Sequence, residues 1–69
     1  MNKGMERLLK KYGDVIESIH RENNYGVDYW IYLKKGYICK ETECGTIHEY
    51  TLKDCEAMLR CVVKVMEVK

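Results

Sequence analysis

The sequence predicts an α+β fold in which a small three-stranded antiparallel sheet is packed by a long C-terminal helix, with another helix at the N-terminus. Two helical apolar stripes, one near each end of the chain, predict the helices. A run of aromatic and β-branched residues between two turn signals predicts the sheet. The element order is therefore α-β-β-β-α. The chain has no proline and no low-complexity stretch to mark a linker, so residues 1–69 are predicted to form a single domain.

The N-terminal helix is predicted from apolar residues at the i, i+3, i+4, i+7 spacing of one helix face. These residues are Met5, Leu8, Leu9 and Tyr12. Gly13 fits the C-cap of this helix, because glycine reaches the left-handed conformation without steric cost.

Residues 14–22 have two interpretations. In the first, Val15, Ile16 and Ile19 extend the helical stripe through Gly13. In the second, a strand has one face made by alternate residues, which are Val15, Glu17, Ile19 and Arg21. We favour the strand, because Gly13–Asp14 is a good break and the following segment needs a pairing partner.

The clearest strand is the segment DYWIYLK, residues 28–34, which is rich in aromatic and β-branched residues. Before it, residues 23–26 include asparagines and a glycine that tolerate positive φ, which predicts a hairpin connection. After it, Lys34–Lys35–Gly36 predicts a turn that leads into Tyr37–Ile38–Cys39. The loop KETECG and a short extended piece, residues 46–49, follow.

The C-terminal helix is predicted to begin at Thr51, whose side chain can cap the first turn together with Asp54. An apolar stripe then continues at helical spacing to the end of the chain. Its members are Leu52, Cys55, Leu59, Val62 and Met66.

The composition, 46% hydrophobic and 33% charged, is typical of a globular domain. No apolar run approaches the ~20 residues of a membrane span, and the segment MNKGMERLLKK lacks the apolar core of a signal peptide. We therefore expect a cytoplasmic protein whose four cysteines are reduced thiols. A domain of 69 residues has a thin margin of stability and often depends on a metal, a disulfide or a partner subunit.

The stretch YICKETECGTIHEYTLKDC raises the question of a zinc site. The four candidate ligands are Cys39, Cys44, His48 and Cys55. Their spacing does not exclude a site, but there is no second paired motif. Cys55 also lies on the apolar stripe of the helix, where a thiol behaves as a small hydrophobe. We predict structural cysteines and no metal, with a zinc-stabilised adaptor as one alternative and a redox-responsive Cys44 as another.

No catalytic or cofactor motif stands out, because the chain has no P-loop and no glycine-rich dinucleotide-binding turn. Cys44 or Cys55 could act as a nucleophile with His48 as its base, but so short a chain leaves little room for a substrate cleft. His48 is instead expected to bond the backbone near the helix start, and His20 to face solvent on a strand. We predict a non-enzymatic protein without a cofactor.

Charge is spread unevenly along the chain, although the net charge is only +1. Residues 1–12 carry four basic side chains against one acidic, a net of +3. Residues 40–56 carry five acidic side chains against two basic, a net of −3. These segments are either two solvated faces or a basic and an acidic docking patch.

The aromatic residues are six tyrosines and one tryptophan, and the central strand divides them between two faces. Tyr29, Ile31 and Leu33 share one face. Trp30 and Tyr32 share the other, where they either pack in the core or centre a binding face, since Trp and Tyr dominate interface hot spots. The candidate partner-binding residues combine aromatic and acidic side chains: Tyr29, Trp30, Tyr32, Tyr37, Glu41, Glu43 and Glu49.

At DYWIYLKKGY and TIHEYTLKDC the chain resembles short uncharacterised proteins of bacteriophages and mobile elements, over roughly residues 14 to 66. In size and format it also resembles anti-CRISPR and other anti-defence proteins. That resemblance implies action without catalysis, by occupying the surface of a host protein. Many such proteins are strongly acidic and this chain is not, which argues against mimicry of DNA.

We therefore predict a protein-binding module that inhibits a bacterial host or defence protein, such as a CRISPR effector or its complex with nucleic acid, by surface occlusion. The face of Trp30 and Tyr32, the acidic segment 41–56, or both would make the contact. The alternative is a small nucleic-acid-binding module that uses Lys34, Lys35 and the basic N-terminal helix. No membrane partner is expected, and the open sheet edges leave homodimerisation as an open alternative.

Overall fold

The computed structural model describes residues 2–42 and 44–67, and its element order is the predicted α-β-β-β-α. The elements are helix α1 (Lys3–Lys11), strand β1 (Ile16–Asn23), strand β2 (Val27–Leu33), a 3-10 turn (Lys35–Tyr37), strand β3 (Thr46–Glu49) and helix α2 (Leu52–Glu67). The strands form one antiparallel sheet in the order β1-β2-β3, so β2 is central. The predicted α+β class is confirmed.

The two ends of α1 are fixed in different ways. At its start the side-chain oxygen of Asn2 accepts a hydrogen bond from the backbone N–H of Met5 at 2.8 Å, which caps the first turn. After its end, Gly13 does not have positive φ, so the predicted left-handed C-cap is wrong. A Cβ at Gly13 would lie 3.0 Å from the carbonyl oxygen of Leu9, which is tighter than an ordinary van der Waals contact, so glycine suits this close approach of the backbone.

The ambiguous segment after α1 forms strand β1 and does not continue the helix. Its pairing register with β2 shifts between Ile16 and Ser18. Because of this irregularity, Ile16 and Ile19 are both buried in the core although they lie three residues apart. Glu17 is exposed, so the prediction that it shares a face with Ile19 is wrong.

The connections between strands follow the predicted turns only in part. Asn24, Tyr25 and Gly26 connect β1 to β2, and Gly26 has a φ of 115°. Tyr37 ends the 3-10 turn, where it is half-buried and packs against the core, and the third strand is the extended piece at Thr46–Glu49. Tyr37 therefore does not lie on a strand beside β2, where it could have joined a binding face with Trp30 and Tyr32.

Helix α2 is capped and buried as its sequence predicts. The hydroxyl oxygen of Thr51 accepts a hydrogen bond from the backbone N–H of Asp54 at 3.1 Å. Cys55, Leu59 and Val62 of its apolar stripe are completely buried. No helix within the described ranges is both long and apolar enough to cross a lipid bilayer.

Both helices pack on the same face of the sheet, and the core lies between the two layers. The largest fully buried side chains come from α1, β2, β3 and α2: Leu8, Ile31, Ile47, Leu59, Val62 and Cys55. Burying an aliphatic side chain of this size contributes about 1.5–3 kcal/mol. Within the described residues no helix covers the opposite face of the sheet.

Glu56 of α2 is a buried carboxylate that ties the two helices together. It accepts hydrogen bonds from Arg7 Nη2 at 2.7 Å and Lys11 Nζ at 2.8 Å, with the Tyr12 hydroxyl at 3.5 Å. The bonds from Lys11 and Arg7 outweigh burial and lower the pKa of the Glu56 carboxyl to about 2. Glu56 is therefore ionised at neutral pH, and it engages two of the cations of the basic N-terminal segment.

Candidate functional site

The face of the sheet opposite the helices, called the outer face below, carries a cluster of aromatic rings. Strand pairing places His20, Trp30 and His48 in one row across the three strands. Tyr32 lies further along β2, and Tyr50 follows β3 directly. Tyr32 is 43% exposed and Tyr50 is 69% exposed. These five residues are called the aromatic cluster below. The cluster is open to solvent at Tyr32 and at Tyr50.

The centre of the aromatic cluster is a stack of Trp30 on His48. Their ring centroids are 3.8 Å apart and the rings are inclined by 9°. The backbone N–H of Leu33 donates to the carbonyl oxygen of Gly45 at 2.9 Å, so Leu33 and Gly45 form a hydrogen-bonded pair. Because hydrogen-bonded and non-hydrogen-bonded pairs alternate along an antiparallel ladder, Trp30 and His48 form a non-hydrogen-bonded cross-strand pair. Such pairs bring their side chains closest together, so the strand register itself produces the stack.

Asp28 fixes the imidazole of His48 within this stack. Its Oδ2 lies 2.8 Å from His48 Nε2. The expectation that His48 bonds the backbone near the start of α2 is therefore wrong. Because Asp28 and Trp30 lie on the same face of β2, one strand supplies both the ring that stacks on His48 and the carboxylate that orients it.

The remaining rings surround this stack. His20 meets Tyr32 edge-on with centroids 5.6 Å apart, and His48 meets Tyr50 at 5.4 Å. His20 Nε2 lies 3.1 Å from the hydroxyl oxygen of Ser18, and His20 is exposed on its strand as predicted. Every ring of the aromatic cluster therefore contacts another ring, in two groups, one made by His20 and Tyr32 and one made by the stack with Tyr50.

Trp30 has one polar group without a partner. Its side chain is half-buried, yet the Nε1–H is covered and donates no hydrogen bond to any residue of the described chain. A buried donor left unpaired costs about 1–3 kcal/mol relative to a paired one. Within the described residues, Trp30 therefore contributes to the outer face by stacking and not by a hydrogen bond.

The charges near the aromatic cluster are acidic. The strand positions of the outer face include the carboxylates of Glu22 and Asp28 and no lysine or arginine. The basic helix α1 lies on the other side of the sheet. Lys34 and Lys35 are exposed in the turn that follows β2. A molecule that binds the outer face therefore contacts aromatic rings and the negative charges of Glu22 and Asp28.

The other predicted partner-binding residues are spread over the molecule. Tyr29 lies on the helix-covered face and packs against the core, with Glu49 as its half-buried cross-strand partner. Tyr37 also packs against the core, and Glu41 is exposed in the loop before β3. Glu43 lies outside the described residues. Of the predicted residues, only the pair on the outer face of β2 belongs to the aromatic cluster.

The candidate zinc ligands do not form one group. Cys39 and Cys55 belong to the buried core, Cys44 is exposed, and His48 lies on the outer face. Within residues 2–42 and 44–67, no three His, Cys, Asp or Glu side chains are grouped so as to hold a metal ion. Burial, with the nearby carboxylates of Glu49 and Asp54, raises the pKa of the Cys55 thiol to about 11, so Cys55 is protonated at neutral pH.

Sequence reasoning missed three members of the aromatic cluster, namely His20, His48 and Tyr50. The missing information was the register of the third strand. Once residues 46–49 are paired with β2, simple alternation brings His48 next to Trp30.

Comparison with known proteins gives no match to this chain among family models, curated sequences or solved structures. The candidate site is therefore defined by its geometry and charge.

Proposed function

We propose that the protein is a non-enzymatic protein-binding module whose outer face covers part of the surface of a partner protein. The observation that carries the proposal is the aromatic cluster itself. In a domain of 69 residues, five contacting rings lie on the sheet face that no described helix covers. A half-buried Trp beside exposed Tyr side chains is typical of interface hot spots.

The charge around the aromatic cluster supports a partner with a basic surface. Lysine and arginine side chains can lie over the aromatic rings and reach the carboxylates of Glu22 and Asp28. A nucleic acid would bring phosphates to the same carboxylates. Arg7 and Lys11, two cations that a nucleic-acid-binding module would use, are engaged by Glu56 on the helix side.

The resemblance to anti-defence proteins extends this proposal to a class of partner. The partner would be a bacterial host or defence protein, such as a CRISPR effector with its basic nucleic-acid-binding surface. The module would inhibit it by occlusion, because a rigid face that binds a functional surface excludes the natural ligand from it.

Affinity capture from bacterial lysate tests the proposal. The variants are the double substitution Trp30→Ala/Tyr32→Ala and, as a matched control, Tyr25→Ala, which removes a fully exposed tyrosine at the hairpin tip. We expect wild type and the Tyr25 variant to recover the same stoichiometric protein, and the double variant to lose it while its circular dichroism spectrum stays unchanged. Equal recovery by all three would contradict a role for the outer face.

A further inference from the structure

The two edges of the sheet differ in how they are protected against pairing with another strand. Edge strand β1 contains the register irregularity near Ile16 and carries charged side chains at Glu17 and Arg21. Both features blunt an edge. Strand β3 pairs with β2 in unbroken register over Thr46–Glu49 and carries one acidic side chain, the half-buried Glu49, but no lysine, arginine or proline. The edge formed by β3 is the more regular of the two.

The register defines which backbone groups β3 presents at its free edge. The backbone N–H of Leu33 donates to the carbonyl oxygen of Gly45, so the backbone groups of Gly45 face β2. Backbone direction alternates along a strand, so the backbone groups of Ile47 and Glu49 face β2 as well. The N–H and C=O groups of the alternate residues, Thr46 and His48, point away from the sheet. Within the described residues they make no other backbone hydrogen bond. An added strand could therefore pair with two residues of β3.

A groove of about 620 Å³ lies beside this edge. Apolar parts of its wall come from β2, β3 and α2, and acidic parts from the loop before β3 and from the end of β3. The residues that matter here are Trp30, Ile47, His48, Met58, Glu41 and Glu49. The groove therefore combines an open strand edge with apolar and acidic side chains.

The carboxylates of the groove lack positive partners. Within residues 2–42 and 44–67, neither Glu41 nor Glu49 has a lysine, arginine or histidine nitrogen within 4.0 Å. Glu49 is half-buried, where an unpaired negative charge costs more than it does in open solvent. A ligand that carries positive charge would relieve this cost, whereas an acidic ligand would add to it.

We propose that the free edge of β3 takes one extended, basic segment of the partner protein as an added strand. The segment hydrogen-bonds to the backbone of Thr46 and His48, and its lysine or arginine side chains reach Glu41 and Glu49. This proposal rests on the proposed function, since it assumes a protein partner on the aromatic cluster. His48 joins the two surfaces, because its ring belongs to the cluster and its backbone belongs to the free edge of β3. Recognition by strand addition takes affinity from the backbone and specificity from alternate side chains.

Charge favours this occupant over a second copy of the chain. A symmetric pair of β3 strands would bring the same surface of two molecules together. Each groove would then place the unpaired carboxylates of Glu41 and Glu49 near those of the other copy. A basic segment has the opposite charge and meets no such repulsion.

Amide hydrogen exchange followed by NMR tests the proposal on the full chain, with a short capped peptide of alternating valine and lysine as the probe. We expect exchange at Thr46 and His48 to slow by about tenfold or more at saturating peptide. The amides of Ile47 and Glu49, already bonded to β2, should be protected in both states. The same peptide with every backbone amide N-methylated should give no protection, and neither should a peptide with glutamate in place of lysine.

Substitution of the groove carboxylates provides a second readout. The variant Glu41→Gln/Glu49→Gln should weaken binding of the lysine peptide by about three- to tenfold, since each exposed or half-exposed ion pair contributes modestly. Glu17→Gln on the opposite edge should leave the affinity unchanged.

Three results would overturn strand addition at β3. They are the absence of protection at Thr46 and His48, equal protection by the N-methylated peptide, and protection that rises with protein concentration before any peptide is added. The last would identify a second copy as the occupant. Each of these results leaves the aromatic cluster testable by the Trp30 and Tyr32 variants, so failure of this inference is distinguishable from failure of the proposed function.

Discussion

The indole of Trp30 and the imidazole of His48 lie parallel at 3.8 Å across two strands of the sheet, on the face away from both helices. The Asp28 carboxylate holds the imidazole at 2.8 Å. The neighbouring Tyr32 and Tyr50 are open to solvent. The relationship therefore defines an organised surface outside the core.

Removing the negative charge of Glu56 should loosen the contact between the helices. Glu56→Gln keeps the shape of the side chain but loses the ion pairs with Arg7 and Lys11, which are themselves about half exposed. We expect a loss of about 1–3 kcal/mol in the free energy of unfolding at neutral pH, measured by urea denaturation. Glu17→Gln, at an exposed position, should change it by less than about 0.5 kcal/mol.

The same ion pairs predict how stability depends on pH. The pKa of Glu56 is lowered from 4.5 to about 2 in the folded state, so its contribution is fully present above pH 4.5 and is lost as the pH falls towards 2. The difference in stability between wild type and Glu56→Gln should therefore shrink on acidification. A difference that stays constant down to pH 2 would contradict the assigned ion pairs.

The four cysteines should separate into two reactivity classes. Cys44 and Cys61 are exposed, whereas Cys39 and Cys55 are buried, and burial raises the pKa of the Cys55 thiol to about 11. Alkylation with iodoacetamide, followed by mass spectrometry, should label the exposed pair quickly and the buried pair only after unfolding. Fast labelling of Cys55 in the folded protein would be incompatible with this core.

Gly45 should be intolerant of any side chain. Its φ is 77°, and an added Cβ would lie 2.7 Å from Cγ1 of Ile38. We expect Gly45→Ala to cost about 1–2 kcal/mol or more, through backbone strain and the displaced Ile38. Gly36→Ala is the matched control, because a Cβ there meets nothing within 4 Å. Thermal melting of both variants compares them directly, and equal melting temperatures would argue against this geometry before β3.

The helices and the central strand could be predicted from sequence because each carries its own local signal. The stripe of Cys55, Leu59 and Val62 has the helical period, and Thr51 is a residue that caps helices. The strand β1 was harder to predict, because its irregularity buries Ile16 and Ile19 at a spacing that also fits a helix. Only pairing with β2, which is not local, decides between the two.

Features that depend on contacts distant in sequence could not be predicted in this way. Glu56 looked like one more acidic residue of a solvated segment, and its role depends on where α1 crosses α2. Trp30 and Tyr32 were predicted as the centre of a binding face, but the position of His48 beside Trp30 depends on the register of β3. Tyr37 shows the converse, since its aromatic ring suggested the binding face and its 3-10 turn directs it to the core.

The central claim is that the outer face is the surface that meets the partner, and the single tryptophan of the chain allows a direct measurement. Incorporation of fluorotryptophan gives one fluorine NMR signal, from Trp30. On addition of the captured partner this signal should shift or broaden in proportion to complex formation, whereas a fluorotyrosine signal assigned to Tyr37, packed against the core, should stay in place. A Trp30 signal that is unchanged while the complex forms would mean that the partner binds elsewhere, and the proposed function of this face would have to be withdrawn.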